Sequence, residues 1–360
     1  MRDVTLVLQD GTRFQGRSFG YDTPVTGEVV FNTAMMGYPE SLTDPSYAGQ
    51  MLVMTYPLVG NYGVPPFQFK DGLPTLMESD KIHVKALIVA DYSEQYSHWN
   101  ACESLADWLK REHVPGVTGI DTRALTKVLR EHGVMMGRLE FDSIETADAI
   151  DATENYGAVN WVERVSCREV IRYNEGTGKK VVLVDCGVKA NIIRCLIGRG
   201  VEVIRVPWNY DYTAMQFDGL FLANGPGDPD TCVEAVDILR RQMSMSRKPI
   251  CGICMGNQLL AKAGGATVYK LKYGHRSHNQ PVREVGTNRC YVTSQNHGYA
   301  VDAATLGQDW RELFVNMNDG SNEGIRHAVN PWFSSQFHPE ACSGPVDTEF
   351  MFDRFIETLA

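Results

Sequence analysis

Short apolar runs separated by helix-length stretches are the main pattern in the second half of the chain. Four of them, rich in Val, Ile and Leu, are residues 181–185, 202–206, 219–222 and 249–251. Such runs are typical of strands buried on both faces of a parallel sheet, with helices packed above and below. The pattern therefore predicts an α/β domain whose functional site lies at the carboxyl ends of its strands.

The first half of the chain has short strands and fewer helices. Strands are predicted near residues 28–32, 51–55 and 84–92, and helices near 102–113 and 121–132. The second helix has clear boundaries, because Asp121 is a favourable N-cap residue and Gly133 can end the helix. These signals predict a smaller, mixed α/β domain that precedes the larger one.

A polar stretch joins the two halves, and residues 174–178 are its loosest part. We therefore expect an N-terminal domain at residues 1–141 and a connector at 142–179. The remaining residues, 180–360, are expected to form an α/β domain with an open, mostly parallel sheet and helices on both faces.

The composition is that of an ordinary globular protein, with 43% hydrophobic and 22% charged residues among 360. The formal net charge of −10 argues against a nucleic-acid partner or an anionic membrane surface. Nine cysteines, an odd number at scattered positions, favour reduced thiols. No signal or membrane-spanning pattern is visible and an apolar run begins at Val4, so we expect a cytoplasmic protein without a presequence.

The residues around Cys254 predict a nucleophile. Gly252 and Gly256 flank this cysteine between an apolar strand and a helix start, as glycines flank the serine of the G-x-S-x-G turn. The amino end of a helix also favours a thiolate. Because Cys251 and Cys254 form C-x-x-C, a redox pair and half of a zinc site are alternatives, although no second C-x-x-C is present to complete four ligands.

A base for this thiol is predicted near the C-terminus, where His338 ends an apolar run and precedes a proline. Residues two apart in an extended chain share a side, so Glu340 can bind one imidazole nitrogen while the other faces the sulfur. His275 and His278 form H-x-x-H, but no cysteine or carboxylate accompanies them at ligand spacing, so no metal site is predicted.

Two further segments have groups that could hold a polar substrate. The turn at residues 224–229 follows an apolar strand, and its N–H groups, including that of Gly227, could face a developing oxyanion beside the N–H of Met255. Residues 293–299 carry amide, imidazole and phenol groups at a strand end. An ordinary turn and an ordinary polar loop are the alternatives, and His297 could equally be a structural histidine.

Four motifs resemble those of the class I (triad) glutamine amidotransferases in order and spacing: N-G-P-G-D-P at 224–229, G-I-C-M-G-N-Q at 252–258, S-Q-N-H-G-Y-A-V-D at 294–302 and Q-F-H-P-E at 336–340. The first half resembles the amino-terminal domain of the glutaminase subunit of carbamoyl-phosphate synthetase, through G-Y-P-E-S-L-T-D-P-S-Y at 37–47 and T-Y-P-L-V-G-N-Y-G at 55–63. The stretch N-D-G-S-N-E-G at 318–324 is most similar to the glutaminase portion of the fused eukaryotic pyrimidine-pathway enzyme.

The resemblance implies a role for each matching residue. Cys254 would be the nucleophile, His338 the acid and base, and Glu340 the partner of the histidine. The residues implied to bind glutamine are Ser46, Gly225, Gly227, Met255, Gln258, Asn296, Gly298 and Tyr299. Within that set, the backbone N–H groups of Gly227 and Met255 would form the oxyanion hole.

The implied reaction is hydrolysis of L-glutamine to glutamate and ammonia through a cysteinyl thioester. The ammonia would pass to a carbamoyl-phosphate synthetase large subunit, or to fused synthetase domains, for pyrimidine and/or arginine biosynthesis. That partner is expected to hold ATP and Mg, because this chain has no glycine-rich phosphate-binding loop and no cofactor of its own is expected.

The chain departs from the usual family pattern at Met255 and Asn257, where many members have leucine and histidine. Methionine nearly conserves the volume of leucine, and asparagine cannot act as a base, so Asn257 is not expected to be catalytic. Two other functions remain open. One is the glutaminase component of another amidotransferase, and the other is a non-catalytic adaptor that retains the fold.

Overall fold

The computed structural model describes residues 1–142, 144 and 155–359 of the chain. These residues form two compact units, here called the N-terminal unit (Met1–Lys70 and Pro74–Ala158) and the C-terminal unit (Asp71–Leu73 and Val159–Ala360). Residues 143 and 145–154 of the expected connector, and Ala360 at the end of the expected second domain, lie outside the described residues.

Strands of the N-terminal unit close into a barrel. In the order in which they neighbour one another, the barrel strands are β1 (Asp3–Leu8), β2 (Arg13–Ser18), β8 (Gly116–Thr118), β7 (Ala86–Tyr92), β4 (Gln50–Val59), β3 (Val25–Asn32) and β9 (Met135–Phe141). Two-residue strands also occur at β5 (Phe69–Lys70) and β6 (Leu73–Pro74). The ladders are mixed, since β3, β4, β7 and β8 pair in parallel while β1 and β9 pair antiparallel.

Three helices accompany the barrel: α1 (Tyr38–Thr43), α2 (Leu105–Arg111) and α3 (Thr122–His132). The predicted boundaries of α3 are confirmed. The Asp121 side chain accepts a hydrogen bond from the backbone N–H of Ala124 at 2.8 Å, and Gly133 follows the helix with φ of 95°. A glycine tolerates this left-handed φ without steric cost, which explains why the helix stops there.

The C-terminal unit is built on a ten-stranded sheet. From edge to edge its strands are β10 (Ile171–Tyr173), β12 (Glu202–Pro207), β11 (Lys180–Asp185), β13 (Gly219–Leu222), β14 (Ile250–Ile253), β19 (Trp332–Ser335), β18 (Asn322–His327), β17 (Trp310–Asn316), β15 (Val268–Glu284) and β16 (Cys290–Val301). Its helices are α4 (Trp161–Val165), α5 (Ala190–Ile197), α6 (Val233–Met245), α7 (Met255–Ala263) and α8 (Phe350–Glu357).

Both faces of the central sheet are covered. In β11, Val182 and Val184 belong to the hydrophobic core that also contains α6 and α7, whereas Val181 and Leu183 belong to the core that contains α5 and α8. Alternate side chains of a strand point to opposite faces, so a continuous apolar run serves two cores at once. The predicted strands at residues 181–185, 202–206 and 219–222 are confirmed for this reason.

The α/β fold class is confirmed, and the sheet is mixed. The five strands β12, β11, β13, β14 and β19 are parallel, while β10 and the strands from β18 to β16 add antiparallel pairs. The antiparallel strands were harder to predict because much of β15 is polar and exposed, as an antiparallel strand with a solvated face can be. His275 lies in this strand.

No helix in the described ranges combines the length and the apolar character needed to cross a membrane.

Candidate active site

The candidate residues follow four neighbouring strands. β11, β13, β14 and β19 lie side by side and run parallel to one another. Lys189, Asn224, Cys254 and His338 come shortly after these strands, in that order. Because the carboxyl ends of parallel strands meet at one edge of a sheet, the topology gathers the four segments at that edge.

Cys254 occupies a strained turn between β14 and α7. Its φ of 54° and ψ of −103° are unusual for a residue with a side chain. A Cβ atom placed on Gly252 would lie 2.5 Å from the carbonyl oxygen of Gly256, and one placed on Gly256 would lie 2.2 Å from that of Leu222. Neither position can hold a side chain, so the two glycines are what allow the chain to turn sharply at the cysteine.

Replacing Gly256 with alanine is therefore expected to lower the free energy of unfolding by about 3 kcal/mol, because the new Cβ overlaps backbone that cannot move freely. Gly307→Ala is the matched control, since the nearest atoms to a Cβ there lie 3.7 Å away. The control should change stability by about 0.5 kcal/mol or less. Urea denaturation of both variants measures the difference, and equal stabilities would show that the turn is not sterically constrained.

His338 and Glu340 form a buried pair. The imidazole Nδ1 lies 2.6 Å from Glu340 Oε1, and both side chains are almost completely buried. Burial alone would lower the pKa of His338, but Glu340 and the neighbouring Cys254 outweigh it and raise this pKa to about 10. Burial alone would raise the pKa of Glu340, but Lys189 and His338 hold it well below its ordinary value. At neutral pH the pair is therefore an imidazolium and a carboxylate.

The second nitrogen of His338 has no hydrogen-bond partner among the described residues. Cys254 is close enough to influence the charge of the imidazole, and its Sγ lies 3.7 Å from the carbonyl oxygen of Asn296. The backbone N–H of His338 donates to Ser294 O at 2.9 Å, which joins the histidine to β16. A positive imidazole beside a sulfur places a proton donor next to a candidate nucleophile.

Lys189 is a site residue that sequence reasoning missed. Its side chain is 6% exposed, its Nζ lies 3.0 Å from Glu340 Oε1, and it donates to the carbonyl oxygen of Ala341 at 2.6 Å. Asp185 shapes the preceding turn by accepting from the N–H groups of Gly187 and Val188. The sequence does show a lysine shortly after an apolar run that ends in aspartate, which could have marked Lys189 as a site residue. Nothing in the local sequence identifies Glu340 as its partner.

Replacing Lys189 with methionine is expected to destabilise the protein by about 3 kcal/mol, because the buried Glu340 carboxylate then keeps only His338 as a positively charged partner. It should also lower the catalytic rate of the site by about 100-fold, since a misplaced carboxylate no longer fixes His338. Lys262→Met is the control, because Lys262 pairs with Asp230 at the surface, where a salt bridge contributes little. Similar losses in the two variants would contradict the role given to Lys189.

The turn at residues 224–229 is tied to the rest of the site. A Cβ on Gly225 would lie 2.1 Å from the carbonyl oxygen of Cys186, and Gly227 has φ of 88°. The Asn224 side chain accepts from the N–H of Lys189 at 3.0 Å. Tyr299 donates from its hydroxyl to Asp228 at 3.0 Å, which connects this turn to β16.

A polar network connects α7 to β19. Gln258 donates from Nε2 to Tyr299 O and to Gln336 Oε1, each at 3.2 Å. Asn257 donates to Gln336 Oε1 at 2.9 Å and accepts from the Ser334 hydroxyl at 2.7 Å. Asn257 is thus fully engaged in a buried network, which is a structural role. Gln336, the first residue of the Q-F-H-P-E motif, and Ser334 complete the network.

β16 presents two different faces. Asn296 and Gly298 share one face, and His297 lies on the other, as expected for alternating residues of a strand. His297 Nδ1 donates to Tyr299 O at 2.8 Å, and burial lowers the pKa of this histidine, which is therefore neutral. This geometry supports the structural interpretation of His297.

His275, His297 and Glu323 bring three possible metal-ligand atoms within 4.8 Å of one another. The Asn316 side chain donates to Glu323 Oε1 at 2.8 Å, and its Nδ2 lies 3.4 Å from His275 Nδ1. The amide orientation is fixed because its oxygen accepts from the N–H of Asn318. A donor directed at the ligand atoms favours a hydrogen-bonded network over a metal site.

Four residues named in the sequence analysis remain to be placed: His278, Cys251, Met255 and Ser46. His278 is close enough to Lys189 and His338 for their charges to add to the effect of burial, which lowers the pKa of His278 to about 4. Cys251 is 2% exposed, and burial raises the pKa of its thiol, which makes it an unreactive partner for a redox pair. Met255 opens α7 directly after Cys254. Ser46 belongs to the N-terminal unit, where its N–H donates to Asp44 at 2.8 Å.

Two family models match the chain. The model for the carbamoyl-phosphate synthase small chain, CPSase domain, matches residues 6–139, and the model for class-I glutamine amidotransferase matches residues 182–358. Among solved structures, a glutamine amidotransferase from Thermotoga maritima is similar with 19% identity and a TM-score of 0.39, over 45% of this chain and 76% of that one.

Curated relatives match almost the whole chain. The carbamoyl phosphate synthase arginine-specific small chain of Chaetomium globosum is 50% identical over 361 residues, which cover 99% of this chain and 78% of that protein. The multifunctional protein pyrABCN of Emericella nidulans is 48% identical over 390 residues, and the chain spans 17% of its length. The chain belongs to the carbamoyl-phosphate synthase small-chain family, with a class-I glutamine amidotransferase segment in its second half.

Proposed function

We propose that this chain hydrolyses glutamine to glutamate and ammonia and supplies the ammonia to a carbamoyl-phosphate synthetase moiety. The observation that carries the proposal is the strained turn at Cys254 beside a buried imidazolium that Glu340 holds. This arrangement combines a sulfur at a sharp turn, a proton donor and an orienting carboxylate. Family membership supports the choice of glutamine as the substrate.

In the proposed mechanism the Cys254 thiolate attacks the side-chain amide carbon of glutamine. The tetrahedral intermediate collapses as the carbon–nitrogen bond breaks, and His338 gives its proton to the departing nitrogen, which leaves as neutral ammonia. Water then attacks the thioester, His338 takes a proton from it, and glutamate leaves as the thiolate reforms. Glu340 and Lys189 hold His338 in position through both steps.

Glutamine binding is part of the proposal. Met255 directly follows Cys254, and the turn that contains Gly225 and Gly227 follows β13, the strand that pairs with β14. This placement supports an oxyanion hole formed by the N–H groups of Gly227 and Met255. Asn296 and Tyr299 on β16 and Gln258 on α7 are connected to the same site by the hydrogen bonds described above, and Gly298 lies between Asn296 and Tyr299 on that strand. The role of Ser46 is supported by the family resemblance alone.

The domain organisation is proposed as a small-subunit domain at residues 1–141, a connector at 142–179 and an amidotransferase domain at 180–360. The two compact units and the two family matches support this division. ATP and Mg are assigned to the synthetase partner, which is a large subunit or a set of fused domains. We place the protein in a cytosol-like compartment, since its nine cysteines form no disulfide.

The experiment that tests the proposal measures glutamate release from glutamine before and after a synthetase large subunit of the same family is added. Release that depends on Cys254 and rises with the partner would support a coupled amidotransferase. Release that the partner does not change would favour the glutaminase component of another amidotransferase. No release in either condition would favour a non-catalytic adaptor.

A further inference from the structure

Arg276 is a buried cation that the mechanism above does not use. It lies on β15 and is 5% exposed. Its Nη1 donates to the carbonyl oxygen of Tyr273 at 2.8 Å, and its Nε has no hydrogen-bond partner among the described residues. No carboxylate of the described residues forms an ion pair with this guanidinium.

An unpaired guanidinium in a buried position is unfavourable, because the charge loses its hydration and gains no counter-charge. Buried arginines are therefore normally paired with a carboxylate or a phosphate, which accepts two parallel hydrogen bonds from the planar group. Arg276 thus lacks a negatively charged partner among the described residues, and a bound ligand could supply one.

The guanidinium lies on the face of the β15–β16 ladder that carries Asn296 and Gly298, two of the residues proposed to bind glutamine. Arg276 is directly opposite Asn296, so the two side chains share a face. A Cβ on Gly274 would lie 2.6 Å from Arg276 Nη1, and one on Gly298 would lie 3.3 Å from Nη2. The two glycines therefore leave the space that the guanidinium occupies.

The strand that carries Asn296 is close to the Cys254 sulfur. The carbonyl oxygen of Asn296 lies 3.7 Å from Cys254 Sγ. Four carbon–carbon bonds separate the amide carbon of glutamine from its α-carboxylate carbon. A glutamine whose amide meets Cys254 can thus extend along the Asn296 and Gly298 face toward Arg276.

We propose that Arg276 binds the α-carboxylate of glutamine and selects for substrates that carry this group. The inference rests on the proposed glutaminase function and adds a recognition residue to it. The carboxylate supplies the missing counter-charge, and the guanidinium in turn fixes the end of the substrate that is remote from the chemistry. Binding at that end orients the amide for attack.

The test compares two substrates with two enzymes. Arg276→Gln should raise KM for glutamine by about 10-fold to 100-fold, which is the loss expected for charge-assisted hydrogen bonds, with a smaller effect on kcat. For L-glutamine α-amide, which lacks the carboxylate charge, the same substitution should leave kcat/KM almost unchanged. Arg276→Lys should recover only part of the loss, because lysine cannot form the two parallel bonds.

Arg283→Gln is the matched control, since Arg283 is an exposed arginine on the same strand. The rate of Cys254 alkylation by iodoacetamide reports whether the turn at the nucleophile is intact in each variant. An equal rise of KM for both substrates, or no rise for glutamine, would overturn the proposal.

Calorimetric binding of glutamine to Cys254→Ala and to Cys254→Ala/Arg276→Gln tests the contact without turnover. Weaker binding by the double variant is the expected result, and equal affinities would contradict carboxylate recognition. If the unsubstituted chain binds glutamine but releases no glutamate, the proposed function fails while the role of Arg276 is still decided by these affinities.

Discussion

Replacing Cys254 with alanine is expected to abolish glutamate release, with a fall in kcat of about four orders of magnitude or more, because no other group can form the thioester. The fold should survive, since alanine keeps the Cβ atom and the substitution removes only the sulfur. Cys251→Ala is the matched control. Cys251 is equally buried and lies three residues earlier in the same segment, but it is not in the turn.

The two cysteine variants also separate the alternatives. If Cys251→Ala retains activity within a few-fold of the original while Cys254→Ala loses it, a single nucleophile is at work. Equal losses in both variants would indicate that the C-x-x-C pair acts as a unit. Substantial glutamate release by Cys254→Ala, measured with a coupled glutamate dehydrogenase assay, would contradict the mechanism.

Replacing His338 with asparagine is expected to lower kcat for glutamine by about 10³-fold to 10⁴-fold, because the proton donor of the first step and the base of the second are lost together. Asparagine can still donate a hydrogen bond to Glu340, so the pocket should keep its shape. Glutamine binding, measured by calorimetry, should change much less than kcat. A variant that retained most of its activity would show that another group transfers the proton.

The same variant tests the pKa of His338 through the pH dependence of stability. A pKa raised from 6.5 to about 10 means that the folded protein holds this proton more tightly than the unfolded chain. The stabilising contribution is therefore complete below pH 6.5 and declines as the pH rises from 6.5 through the raised pKa. Urea denaturation should show a stability advantage over His338→Asn that shrinks across this window. An advantage independent of pH would contradict the imidazolium assignment.

The features that could be predicted from sequence are those that depend on neighbouring residues. The turn at Cys254 needs a strand, two glycines and a helix start, and all of these lie within a few positions of the cysteine. His338 and Glu340 are two residues apart, which places them on one side of an extended chain. Short-range geometry is a property of the local sequence, so these features could be read directly.

Contacts between distant segments could not be predicted in the same way. Lys189 and Glu340 are more than 150 positions apart in the sequence. They meet only because β11, β13, β14 and β19 pair side by side in parallel. Arg276 gains its position from the pairing of β15 with β16. Periodicity identifies strands but does not identify their partners, which depend on the packing of the whole unit.

The N-terminal barrel shows the same limit. Its strands were predicted individually near residues 28–32, 51–55 and 84–92, but closure requires β9 to pair with both β1 and β3. The last strand of the barrel thus pairs with the first, as Leu8 with Gly137 and Val4 with Phe141, across most of the length of the N-terminal unit's sequence. No local signal encodes that return, and a mixed α/β domain was the finest description that the pattern allowed.

The most direct test of the central claim is the mass of the peptide that contains Cys254 after the protein has been mixed with glutamine and quenched with acid at early times. A glutamyl group on the Cys254 sulfur is the predicted result, and hydroxylamine should remove it, as expected for a thioester. The adduct should be absent from Cys254→Ala. An unmodified Cys254 in a protein that releases glutamate would contradict the account.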